Sequence, residues 1–283
     1  MNSKSEIVPL VSFPKSGNTW VRFLLANLFK KDEDFKIDFK TINDISSTSY
    51  SEDHSKTISL LKEDAPLFIK EHCNYYDMPY YDFSKAIYVY RNGFDTLLSY
   101  WHFRNAQSPN KYPNIESFSK HYWNDYGDWG EHIYSWLEDK NTKSSHKVFA
   151  ISYEELIENP VSTIEKCLKF LGYDIEKEKI EEAIELSNKD NMKQMSGSAE
   201  FMKSKNIDFH FVRSGSSGES KKSLPEYCKD VFMENEKNYQ MMVKYNYIDN
   251  NKWTFISKKS KKSIFNLMKN NFYNYRYRII RRW

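Results

Sequence analysis

The first residues able to do chemistry stand together in Phe13-Pro14-Lys15-Ser16-Gly17-Asn18-Thr19-Trp20. An ATP-binding phosphate loop requires GxxxxGK[ST]: the glycines let successive N–H groups wrap phosphates, and the Lys and hydroxyl serve the γ-phosphate and Mg²⁺. Here the loop has one glycine, and Lys15 comes before it. The N–H groups of Ser16, Gly17, Asn18 and Thr19, opening onto a helix, still make a positive end suited to an anion. Lys15 adds a full charge at the same point. A nucleotide kinase or other phosphate-loop NTPase would need the missing GK[ST] and an acidic Mg²⁺ ligand.

The flanking elements must hold that loop. Residues 7–13 (IVPLVSF) are apolar and β-branched enough for a buried strand, and residues 21–29 are apolar with good helix formers. The loop therefore joins a strand to a helix, the place where anions bind. Further strands are predicted at 67–70, 86–90 and 147–151, with helical patterns at 94–103, 115–138 and 160–171. The alternation predicts an α/β fold of three layers, a mostly parallel central sheet flanked by helices. Helical patterns follow at 175–195 and 224–245, separated by a polar Gly/Ser loop around 211–222, and no internal repeat is visible.

The 283 residues, 40% hydrophobic and 29% charged, suit a folded domain at 1–256 with an appendage at 257–283. Cys73, Cys167 and Cys228 form neither CxxC nor Cys/His spacing, so a reducing compartment and no metal site are expected. The first residues lack the basic-then-apolar run of a secretion signal, and no stretch approaches the ~18 apolar residues of a membrane span; a cytoplasmic location is the expectation. Nine of the 42 Lys and Arg, and none of the 39 Asp and Glu, follow Ile256, so the residues up to that point carry a net charge of −6. In the tail Ile264, Met268, Phe272, Tyr275 and Ile279 are spaced for one helical face. Interleaved with bases, such a helix has the makings of a peripheral anchor on anionic lipid at the inner membrane surface, and equally of a solvated tail or a helix packed on the body. A nucleic-acid binder using the same tail would show an aromatic-basic surface outside the loop motifs and steep salt dependence; nucleic acid is not the expected partner.

Four segments together resemble the cytosolic-type sulfotransferases, which use 3′-phosphoadenosine 5′-phosphosulfate (PAPS). FPKSGNTW is close to that family's YPKSGTTW loop for the 5′-phosphosulfate. Residues 87–103, IYVYRNGFDTLLSYWHF, resemble its strand, Arg-Asn turn and helix, with Arg91 and Ser99 matching contacts to the 3′-phosphate. An Arg at a strand end and a Ser two helical turns on can converge on one phosphate. FVRSGSSGESKKSL resembles the RKGxxGxWKN loop, with Arg213, Ser214 and Gly215 at its phosphate-binding end. Ser220 stands where that loop has Trp and Glu219 where Asp is usual, which leaves Lys221 and Lys222 open as ligands. VFAISYEELIENP is similar to a fourth segment, in which Tyr153 matches an adenine contact; Trp20 would pack on the same base.

The resemblance also implies the reaction. A strand-end Lys-x-His is supplied by Lys70, Glu71 and His72, with His72 as general base and with Lys70 and Lys15 holding the sulfonate and the departing phosphate oxygen. Ser99 would restrain Lys15 until substrate arrives. Glu71 is a rival base, although strand alternation points it away from Lys70 and His72; Cys73 is assigned to packing. Transfer is expected to be direct, in line and metal-free. Tyr75, Tyr76, Tyr80, Tyr81, Trp101, His102 and Trp123 cluster near the predicted mouth, where their faces suit sugars, phenols or lipids and equally a core. The acceptor is expected to be a small molecule, a saccharide or a lipid-linked saccharide.

Overall fold

The computed structural model describes residues 6–79, 82–108, 111–112, 114–121, 126–196 and 215–249, with the backbone of 253–254 and 280–281. Chain order begins with strand β1 (Ile7–Ser12), helix α1 (Asn18–Phe29), two short helices α2 (Ile42–Ile45) and α3 (Ser55–Leu60), and strand β2 (Leu67–Glu71). Strand β3 (Lys85–Tyr90) leads into α4 (Gly93–Gln107), followed by α5 (Ile115–His121), α6 (Trp129–Ile133), a wider turn of π-helix at Tyr134–Glu138, and α7 (Lys140–Ser145). Then come strand β4 (Lys147–Ser152), α8 (Tyr153–Glu158), α9 (Pro160–Leu171), α10 (Lys177–Leu186) and α11 (Lys189–Ser196). The described part closes with α12 (Ser220–Ser223), α13 (Glu226–Met233) and α14 (Glu236–Lys244).

The four strands form one parallel sheet in the order β2-β1-β3-β4. Both faces are covered, as a parallel sheet requires. Alternate residues of β3 serve opposite faces: Ile87 and Val89 join Val8 and Leu10 against α1, α9 and α10, while Ala86 and Tyr88 join Val11 against α4, Trp129 and Trp136. The expected three layers are present. The chain leaves β1 toward β2 on one side and has β3 on the other, so a crevice opens at the carboxyl ends of β1 and β3, where α/β sheets bind ligands.

Three long helical predictions are divided in the structure. Residues 115–138 break around Gly127, whose φ of 75° interrupts any right-handed helix. Residues 175–195 break at Ser187 and Asn188, where Asn188 accepts from the Asn191 N–H. Residues 224–245 break at Asn235, whose side chain accepts from the N–H groups of Lys237 and Asn238 and so starts a new helix. Most of the appendage lies outside the described residues; Ile280–Arg281 pairs antiparallel with Trp253–Thr254, extended where the sequence pattern continued a helix. Among the described residues no helix is long and apolar enough to cross a membrane.

Candidate active site

The loop after β1 makes its turn through two left-handed residues, Lys15 (φ 68°) and Gly17 (φ 109°). Ser16 N–H donates back to the Phe13 carbonyl at 3.3 Å, and Trp20 N–H donates to Gly17 at 3.0 Å. Ser16 therefore closes the turn with its own amide, a departure from the sequence expectation, and the N–H groups of Gly17, Asn18 and Thr19 remain at the open end of α1. Asn18 pins the loop from behind, its amide donating to the Leu10 carbonyl at 2.9 Å. A Cβ on Gly17 would stand 2.6 Å from Tyr153 Cδ2, so a side chain there would fill the cradle. Tyr153, at the start of α8, lies edge-on to Trp20 (5.9 Å between centroids) and under the Arg91 guanidinium (4.5 Å).

Strand β2 ends beside this loop with Lys70 and His72. His72 Nδ1 lies 2.7 Å from the Ser12 carbonyl, and a carbonyl only accepts, so Nδ1 carries the proton and Nε2 keeps its lone pair. Behind it His132 Nε2 donates to the His72 carbonyl at 3.0 Å, and its Nδ1 accepts from Tyr88 Oη at 2.6 Å. Burial, with the Lys70 charge beside it, pushes His72 down to about 3; burial alone takes His132 down to about 4. Burial and then the nearby Arg22 lower the Lys70 ammonium. Glu71 turns away, as alternation predicts, and its Oε1 accepts from the N–H groups of His72 (2.7 Å) and Cys73 (3.1 Å). It thus serves the strand end.

Arg91 follows β3 and is 7% exposed. Its Nη2 donates to the Ser216 carbonyl at 2.9 Å and its Nη1 to the Lys15 carbonyl at 3.4 Å, while Nε is buried without a hydrogen-bond partner among the described residues. Asn92 caps α4, its side chain accepting from Phe94 and Asp95 N–H. One turn on, Asp95 clamps the distant loop: Oδ2 accepts from Gly218 N–H at 2.6 Å and Oδ1 from Ser220 N–H at 2.8 Å. Ser220, whose main-chain N–H makes the second of these bonds, is buried at the head of α12, while Lys221 and Lys222 are exposed. Arg213 and Ser214 lie outside the described residues, and so do Tyr80, Tyr81 and Trp123.

A cleft of about 390 Å³ joins these pieces at the carboxyl edge of the sheet. Lys15, Gly17, Asn18, Thr19, Trp20, Arg91, Tyr153 and Gly215 line it together with Lys70, His72 and Ser99. The Lys15 ammonium lies 4.5 Å from the centre of the Phe103 ring. The remaining wall is the outer half of α4, with Tyr100, His102, Phe103, Arg104 and Gln107, faced by Tyr126, which meets the His72 ring edge-on at 5.7 Å. Of the aromatic cluster expected at the mouth, His102 lines the cleft, whereas Tyr75 is buried against Trp136 and Trp101 packs on the core. Ser187, Lys189 and Met192 were not expected here and had no local signal; Phe103 and Gln107 had one, standing four and eight residues after Ser99 on the same helical face. Among the described residues no group of His, Cys, Asp or Glu is arranged to hold a metal ion.

Comparison with known proteins agrees with this geometry. The family described as "Sulfotransferase domain" matches residues 6–242. Sulfotransferase 2A6 of Rattus norvegicus is 28% identical over 234 residues, covering 77% of this chain and 78% of its own; Sulfotransferase 1E1 of the same species is 29% identical over 251 residues, covering 83% and 82%. Among solved structures, mouse sulfotransferase SULT7A1 complexed with PAP superposes with a TM-score of 0.57 at 23% identity, covering 87% of this chain and 90% of that one. Retinol dehydratase in complex with androsterone and inactive cofactor PAP gives a TM-score of 0.56 at 20% identity, covering 86% and 81%. With its sheet-edge cleft and a domain match across most of its length, the chain belongs to the sulfotransferase family.

Proposed function

We propose that the protein transfers a sulfonate group from PAPS to a hydroxyl acceptor, with His72 as the general base. The observation that carries this reading is one cleft lined together by Lys15, Lys70, His72 and Arg91. The residues fit the donor. Among the described residues the buried Arg91 Nε has no partner, Gly17 leaves a cradle that a Cβ would fill, and three amides open at the head of α1. Arg91, Ser99 and the loop of Arg213, Ser214 and Gly215 would hold the 3′-phosphate; Lys15 with Gly17, Asn18 and Thr19 would hold the 5′-phosphosulfate; Trp20 and Tyr153 would flank the base. Bound there, PAPS supplies an activated sulfonate and leaves as adenosine 3′,5′-bisphosphate (PAP).

This chain's own residues do the rest. The Ser12 carbonyl fixes the His72 tautomer, so that Nε2 can take the acceptor proton as the oxygen attacks. Lys70 and Lys15 stabilise negative charge on the transferring group and on the departing oxygen. The Lys70 charge is one cause of the low basicity of His72. Anions held on Lys70 and Lys15 oppose that cause, so the base strengthens when the donor is in place.

A hydroxyl on a saccharide or lipid-linked saccharide is the proposed acceptor, supported by a wall that mixes ring faces (Tyr100, Phe103, Tyr126) with hydrogen-bonding groups (His102, Gln107). A cytosolic protein with its basic tail against anionic lipid would meet such an acceptor at the membrane surface; nine bases without an acid after Ile256 support this. Truncation after Ile256 should then weaken binding to phosphatidylserine vesicles, and unchanged binding removes the membrane contact. The donor is tested by calorimetry and thermal shift: PAP should bind and raise the melting temperature more than ATP. No heat with PAP, or stronger stabilisation by ATP, would overturn the assignment.

A further inference from the structure

Strand β2 stands at one end of the sheet order, with β1 along one of its edges, so its other edge must be covered from elsewhere in the chain. Residues 46 and 47 cover it. Ser46 Oγ donates to the Phe68 carbonyl at 3.3 Å, Ser47 bridges Ile69 in parallel, and the Lys70 N–H donates to the Ser47 carbonyl at 2.8 Å. The Lys70 main chain is thus held between β1 and a two-residue patch, both of whose residues are buried.

That patch is fastened in turn from α1. Arg22 Nε donates to Ser46 Oγ at 3.2 Å, and Nη2 donates to the Ser46 carbonyl at 2.7 Å, to Asn43 Oδ1 at 2.8 Å and to the Ile42 carbonyl at 3.4 Å. Arg22 is 5% exposed and is not among the residues that line the cleft. All four acceptors are neutral, and among the described residues no carboxylate pairs with the guanidinium. Burial takes it down to about 10, which leaves it charged at neutral pH. Phe68 packs on the side of the sheet that α1 covers, and Lys70, two residues on, points the same way.

We infer that Arg22 is a positioning residue for Lys70: its fork braces the patch that fixes the Lys70 main chain, and its charge stands on the same side of β2 as the Lys70 ammonium. Reaching several acceptors of one segment at once suits a planar guanidinium and not an ammonium. The like charge follows burial among the causes that lower Lys70, and Glu71 opposes it; the His72 ring, neutral at pH 7, and Lys15 share the cleft with Lys70. An anion held on Lys70 is attracted by both cations. That this anion is a sulfonate rests on the function proposed above; the brace does not.

The test uses the full chain without nucleotide, with its lysines labelled at ¹³Cε. The Lys70 signal is identified by its loss in Lys70→Gln and followed with pH, and exchange of the Lys70 N–H is measured beside it. Arg22→Gln should move the Lys70 midpoint up, toward that of an ordinary lysine, and speed the exchange roughly tenfold. Arg22→Lys keeps the charge and loses the fork, so exchange should quicken with the midpoint near the parent's. Ser46→Ala, which removes the hydroxyl between Arg22 Nε and the Phe68 carbonyl, should also quicken exchange and leave the midpoint in place. A midpoint unmoved in Arg22→Gln, or exchange within about twofold of the parent in both Arg22→Lys and Ser46→Ala, overturns the inference even where melting temperature falls. Should Arg22→Gln fail to fold, the exchange rates of the other two variants decide. Failure of the unaltered protein to bind PAP removes the donor assignment and leaves this inference standing.

Discussion

The clamp made by Asp95 can be cut without emptying the cleft. Its two oxygens accept from Gly218 and Ser220 N–H at 2.6 and 2.8 Å, and Asp95 and Ser220 are only 2% and 3% exposed. Hydrogen bonds to a charged group are each worth about 1.5–3 kcal/mol. Asp95→Asn keeps one acceptor oxygen but turns an amide NH₂ toward the second N–H, which removes one bond and weakens the other. The loop beginning at Gly215 should therefore lose about 2–4 kcal/mol of docking free energy. If that loop reads the 3′-phosphate, PAP affinity falls with the docked fraction, by up to roughly 30- to 1,000-fold. AMP, which lacks the 3′-phosphate, should lose far less. Calorimetric titration of both nucleotides against both proteins gives the decisive quantity, the ratio of PAP to AMP affinity. An unchanged ratio in Asp95→Asn, even with a lowered melting temperature, would refute the link between the clamp and phosphate recognition.

Other substitutions separate the remaining roles. His72→Asn retains a donor for the Ser12 carbonyl but no proton acceptor at Nε2; kcat should drop about 10²- to 10⁴-fold with PAP affinity within about threefold, and a smaller loss of kcat would speak for a different base. Gly17→Ala adds a left-handed strain of about 1–2 kcal/mol and an overpacking cost of about 1–3 kcal/mol against Tyr153, so melting should fall on the order of 10 °C with PAP binding lost; melting within 1 °C of the parent would contradict the close contact. Acid should destabilise the fold from about pH 6.5 downward. His72 and His132 are held near 3 and 4, so between those values and 6.5 the unfolded chain binds protons that the native state does not. Stability is full above pH 6.5 and declines as pH falls, by about 4 kcal/mol for the pair at pH 5. His72→Asn should halve that slope in melting temperature against pH, and a flat profile from pH 7 to 5 would count against both shifts.

The strands were legible because each parallel strand is a short run of apolar, β-branched residues, and their observed limits differ from the sequence reading by only a residue or so. The loop, Arg91, His72 and Tyr153 were legible for a related reason: each stands at or just beyond a strand's carboxyl end, where a parallel sheet gathers its chemistry. What escaped was contact across long sequence separations. Nothing local marks Lys189 as lying beside Gly215, or Asp95 as holding backbone 123 and 125 residues away. Periodicity also cannot see where a helix is cut. Residues 115–138 keep their apolar pattern through Gly127, and Asn235 reads as an ordinary polar position until its side chain is seen starting α14.

The bond between His72 Nδ1 and the Ser12 carbonyl has a bearing on the order of events in turnover. If His72 is the base proposed above, the proton that Nε2 gains finds, among the described residues, only the Ser12 carbonyl and the Ser12 hydroxyl, 3.3 Å away, beside Nδ1, while His132 donates to the His72 carbonyl and offers no empty acceptor in line. Under that proposal the shortest way out for the proton is the side of the ring that faces the cleft. Resetting such a base would then be tied to departure of the sulfated product, with buffer reaching the ring after that molecule has gone.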